Sequence, residues 1–115
     1  MMKRPRVKDS AHLEFIRQLP CACCGNPIET EAAHLREGAL TYGKHYTGKA
    51  EKPSDRWVLP LCGFHHREQH QGSEEGFWIN YRINPFVLAL SLYGCSGDYA
   101  TAEQVISLQR MGAAQ

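Results

Sequence analysis

Cysteine and histidine carry most of the chemistry that this chain could do. Cys21-x-x-Cys24-Gly25 places two thiols two residues apart in one tight turn, and the glycine frees the backbone just after them. Cys62-x-x-His65 repeats the spacing farther along. Thiolate and imidazole are the ligands that zinc prefers, and Cys21, Cys24, Cys62 and His65 together make a Cys₃His set, the composition of a closed structural site. A redox pair or buried thiols would explain one such pair but not the second. Cys23 is too close to Cys24 for a two-residue turn, and Cys95 has no partner in sequence. The five cysteines thus read as metal binding before disulfides.

Three further histidines could do chemistry of another kind. His66 and His70 are four residues apart, so on a helix they share a face and can chelate one ion. Two solvent-facing histidines are the plainer alternative, but the neighbouring zinc ligand His65 fixes the start and register of that helix. His34 falls near the end of a short strand. Folded back on the helix it would face His66, where a neutral imidazole can take a proton from water. An unshifted imidazole does so above about pH 6.5. A metal ion would stabilise charge on a phosphate and its leaving oxygen. That combination suffices to hydrolyse a phosphodiester.

The elements that must position these groups are legible from caps and punctuation. Asp9 or Ser10 caps a helix running to about residue 19, with Leu13, Ile16 and Leu19 on one face and Pro20 as its stop. Residues 28–35 alternate loosely, with Ile28, Ala32 and His34 on one side of a short strand. Residues 36–56 read as a long loop. Residues 57–61 form a second strand, and Cys62-Gly63 turns into a helix over residues 64–71 that ends at Gly72. Ser73 caps a helix carrying Phe77, Trp78 and Tyr81. Asn84-Pro85 opens another, ended by Gly94. Thr101-x-x-Gln104 is a capping box for a last helix to about residue 111. The class is α+β, with a β-β-α unit at its centre.

Several segments of residues 21–70 resemble the HNH, or ββα-metal (His-Me finger), endonuclease family. They are Cys21-x-x-Cys24-Gly25, Ala33-His34-Leu35-Arg36, Ser54-Asp55-Arg56-Trp57-Val58-Leu59-Pro60-Leu61-Cys62 and His65-His66-Arg67-Glu68-Gln69-His70. The likeness is greatest to phage and prophage members related to the RecA-dependent nuclease Ref, in which Phe-Trp follows the helix as Phe77-Trp78 does here. It extends over roughly residues 10–95. The resemblance implies a small ββα-metal core with a zinc knuckle and flanking helices. It implies hydrolysis of DNA with a catalytic divalent metal, Mg²⁺ or Mn²⁺ first and Zn²⁺ second, and a recombination-protein filament as a partner. Residue by residue, His34 matches the general base, His66 the helix metal ligand, and His70 the second helix histidine of some members. Asp55 stands where the middle Asn of the motif name stands. Many relatives carry Asp or His just before the base as a metal ligand, and here that residue is Ala33. Arg36, Lys52 and Arg56 lie close to the motif and could hold phosphate.

Composition sets the outer bounds. The chain has 115 residues, 43% hydrophobic and 22% charged, as in an ordinary globular domain. There is no apolar run of about 18 residues, so no membrane span is expected. The opening MMKRPRVKDSAH has no apolar segment after its basic residues and does not read as a secretory signal, so the expected compartment is the cytoplasm. A formal net charge of +1 does not announce a nucleic-acid binder, but Lys3, Arg4, Arg6 and Lys8 concentrate positive charge at one end. The expected organisation is a flexible basic arm over residues 1–8, a zinc-stabilised nuclease domain over 9–95, and a C-terminal helix over 96–115 packed on it. The alternative function is a zinc-stabilised module that binds nucleic acid or a recombination protein without cutting.

Overall fold

The structure is a computed structural model that describes residues 7–44 and 53–113. The basic residues Lys3, Arg4 and Arg6, and Lys52, lie outside the described residues. Among the described residues, five α-helices and two strands are arranged in the order α1 (Ser10–Arg17), β1 (Thr30–His34), β2 (Val58–Cys62), α2 (Gly63–Gln69), α3 (Glu74–Asn80), α4 (Pro85–Gly94) and α5 (Tyr99–Ala113). A 3₁₀ turn at Leu40–Tyr42 and an Ala39–Lys44 bridge interrupt the connection between the strands, which was expected to be a long loop. The result is a small α+β domain around a two-stranded sheet.

β1 and β2 pair antiparallel, with Thr30 opposite Cys62, Ala32 opposite Pro60 and His34 opposite Val58. All five β2 residues are buried. Val58, Leu59 and Leu61 are large apolar residues with strand propensity, and helices α1, α2 and α4 pack on the strand. Pro60 is tolerated because both strands of a two-stranded sheet have an open edge, so no N–H at that position is missed. Its carbonyl accepts the amide of Ala22 at 2.8 Å, which fixes the Cys-rich turn to the middle of β2.

The caps act as their sequence predicts. The Asp9 side chain accepts from the His12 amide, Ser73 from Gly76, and Asn84 from Phe86 and Val87. Helix α1 delivers Phe15 and Ile16 to the core, and α3 delivers Phe77 and Trp78. Three details differ from expectation. Ile28 lies outside β1 and is 68% exposed, because Glu29 enters the strand at a φ of 55° and turns the preceding residues away from the sheet. Helix α5 begins two residues before Thr101, since the Asp98 carboxylate accepts both the Thr101 amide and its hydroxyl and takes the capping role. Val7, placed in the expected arm, is already tied down. Its amide donates to Ser54 Oγ at 3.1 Å and its carbonyl accepts from the Asp55 amide at 2.8 Å. Among the described residues, no helix is long and apolar enough to cross a membrane.

Candidate metal and hydrolytic site

Cys21 and Cys24 come from the turn that follows α1. The Cys21 amide donates to the Asn26 carbonyl at 2.9 Å and the Gly25 amide to the Cys21 carbonyl at 2.8 Å. Gly25 sits at a φ of 77°, in the left-handed region where a side chain is strained. Cys62 ends β2 and begins α2, and His65 lies in the first turn of that helix. The donor atoms of Cys21, Cys24, Cys62 and His65 all lie within 4.8 Å of one another, the one such group of three or more among the described residues. Cys62 Sγ is 3.1 Å from His65 Nδ1, Cys21 Sγ 3.7 Å from the same nitrogen, and Cys24 Sγ 3.9 Å from Cys62 Sγ. Ligands on one tetrahedral ion at zinc-like bond lengths stand about 3.5–3.8 Å apart, so the four donors fit a single metal ion.

Cys23 stays outside this set, as expected. Its thiol donates to Cys21, which holds the Cys21 thiol down at about 4 against the opposing effect of burial. The same bond, and burial, push the Cys23 thiol far up. The Tyr81 ring stands edge-on to His65, with centroids 5.2 Å apart, and its hydroxyl donates to Glu68 on α2.

The second group of residues gathers where β1 ends. His34 Nε2 lies 2.9 Å from Asp55 Oδ1. Asp55 is 3% exposed, and its other oxygen accepts the Asp9 amide at 2.8 Å, so the carboxylate is held from two sides. The rings of His66, on α2, and His70, the C-cap of that helix, stand 5.0 Å apart and inclined at 42°. His66 Nδ1 is 2.7 Å from Glu31 Oε1 on β1. Gln69 Nε2 reaches from α2 to the His34 carbonyl at 3.4 Å. His34 and His66 each bond a carboxylate, and Gln69 joins their elements. Burial, with the nearby charges of His66 and Arg36, holds the His70 imidazole below its ordinary range.

Ala33, which precedes His34 on β1, is fully buried. Arg36 is exposed, and its amide donates to the Glu74 carboxylate. Arg56 is half-buried, with its guanidinium 5.7 Å from the centroid of the Tyr93 ring. Glu31 was not anticipated. An exposed glutamate on a short strand carries no local signal, and its partner lies 35 residues away. The one sequence hint is strand alternation, which puts residues 31 and 33 on the same face.

The family of proteins described as "Protein of unknown function (DUF968)" matches residues 1–85. The uncharacterized protein YdfU of Escherichia coli (strain K12) is 37% identical over 68 residues, which make up 59% of this chain and 18% of YdfU. The chain thus corresponds to under a fifth of that relative. No solved structure matches it. The matched 85 residues contain the Cys-rich turn, the hairpin, Asp55 and α2, and by that coverage the chain belongs to the DUF968 family.

Proposed function

We propose that this protein is a metal-dependent DNA endonuclease of the HNH, ββα-metal kind. In this reading Cys21, Cys24, Cys62 and His65 hold a structural zinc that knits the hairpin to α2. The observation that carries the reading is the bond from His34 to a buried, doubly anchored Asp55. A carboxylate accepts only, so Nε2 of the neutral imidazole bears the proton and Nδ1 keeps its lone pair. Nδ1 is then the base that takes a proton from water. Asp55 holds the ring in that tautomer and stabilises the imidazolium that forms, the role a buried carboxylate plays behind a catalytic histidine. His66 and His70 would hold a divalent cation, which supplies charge stabilisation at the phosphate and the leaving oxygen. Arg36, exposed and close enough for its charge to reach His70, would hold a backbone phosphate.

The test is nicking of supercoiled plasmid with a series of divalent metals and with chelator, beside DNA binding at several salt concentrations. His34→Ala should lower nicking by about 10²–10⁴-fold, the usual worth of a general base. DNA affinity should hardly change, since it comes mostly from phosphate contacts and falls with salt. Wild-type protein that binds DNA and never cuts it with any metal would instead be the non-catalytic binding module. A His34→Ala variant that cuts as well as wild type would remove the base from its role.

A further inference from the structure

His66 and His70 stand in a geometry that suits one metal ion. A ring centroid lies about 3.2 Å from an ion bound through one of its nitrogens. Two imidazoles on neighbouring positions of one ion therefore stand about 4.5–5.2 Å apart. The His66 and His70 centroids are 5.0 Å apart. Little side-chain movement is needed for both to meet one cation.

A carboxylate beside this pair is already committed. Glu31 Oε1 accepts from His66 Nδ1 at 2.7 Å, which leaves Nε2 as the nitrogen with a lone pair. Ala33, two residues on in β1, has no side-chain donor. Metal-bound histidines are commonly held this way, with the other ring nitrogen on a carboxylate that fixes the tautomer and raises basicity. Imidazole suits zinc, nickel, copper and iron, whereas Mg²⁺ wants oxygen ligands and dehydrates reluctantly.

We propose that His66 and His70 give their two imidazoles to one metal ion, with Glu31 on His66 Nδ1 as the positioning residue. This centre selects Ni²⁺ or Co²⁺ over the Mg²⁺ that the family resemblance implies. The assignment rests on the nuclease reading for its purpose, but metal binding is measured without cleavage.

The experiment uses the full chain with its Cys₃His site loaded with zinc, titrated calorimetrically with Ni²⁺, Co²⁺ and Mg²⁺. Ni²⁺ and Co²⁺ should bind one site at least about 100-fold more tightly than Mg²⁺, and His66→Ala should abolish that site. Glu31→Ala should weaken Ni²⁺ by about 10–100-fold, the usual cost of removing such a carboxylate. Glu31→Gln should recover part of the loss, because its amide oxygen still accepts from Nδ1–H. The Glu31 side chain is 53% exposed, so zinc content and melting should stay at wild-type values. Unchanged Ni²⁺ affinity in Glu31→Ala, or Mg²⁺ bound within tenfold of Ni²⁺, overturns the proposal. Selective Ni²⁺ binding without any nicking would leave the centre standing and sink the nuclease. Nicking by a protein whose Ni²⁺ affinity ignores Glu31 would do the reverse.

Discussion

Three cysteines crowd the turn after α1, and their neighbours give each a different task. Cys21 is buried and held as a thiolate by the thiol of Cys23, while Cys24 is exposed and stands 3.9 Å from Cys62. A serine at position 23 can still donate a hydrogen bond, but a serine at position 24 is a poor ligand for a thiolate-preferring ion. Cys23→Ser should therefore keep its bound zinc, and Cys24→Ser should lose it and melt at a lower temperature, because such sites contribute folding free energy. Zinc content and thermal melts of the two variants decide the matter: equal loss from both would put Cys23 among the ligands. The grouping of Cys21, Cys24, Cys62 and His65 was legible from spacing alone. Glu31 was not, because nothing local distinguishes a glutamate that accepts from a helix histidine from one that faces water.

At the scale of elements, the sequence speaks clearly where a single residue sets a backbone terminus. Ser73 and Asn84 were each readable as caps, and Asp9 as one of two candidates beside Ser10, since a short polar side chain before an apolar run has few other uses. Ser73→Ala should destabilise the domain by about 1 kcal/mol by leaving the Gly76 amide without its acceptor, as measured by urea unfolding. A loss near zero would mean that α3 is held by Phe77 and Trp78 alone. The start of α5 was less legible. Asp98 and Thr101 are both good capping residues three apart, and only the structure shows that the aspartate accepts while the threonine donates. The bounds of β1 were harder still. Alternation placed Ile28 inside, but the positive φ at Glu29 comes from tertiary fit and leaves no pattern in the sequence.

For the molecule as a whole, a buried histidine couples stability to acidity. His12 is fully buried on α1, with Nδ1 2.7 Å from Ser96 Oγ and the Tyr93 ring edge-on at 4.9 Å. Burial lowers its pKa below 6.5, outweighing the nearby charges of Asp9 and Asp55. With the folded value below the unfolded one, the unfolded chain binds more protons between the two. His12's contribution to stability is thus fully present above about pH 6.5 and shrinks as pH falls toward the lowered value. The melting temperature should drop between pH 7.5 and pH 5, and His12→Gln should show a shallower drop. Parallel slopes for the two proteins would remove His12 as the cause.

The strands of the hairpin are neighbours in space but are separated along the chain by residues 35–57. Pairing across so wide a gap must meet the entropy of closing that loop before any ladder bond offsets it, which makes the hairpin a slow step for so small a domain. The Cys-rich turn just before β1 and the Cys-x-x-His just after β2 lie at the base of this loop. An ion caught by those four side chains in the unfolded chain would close the loop before the strands meet. Metal supply would then govern the tempo of folding and the order in which contacts form, as well as the depth of the final minimum.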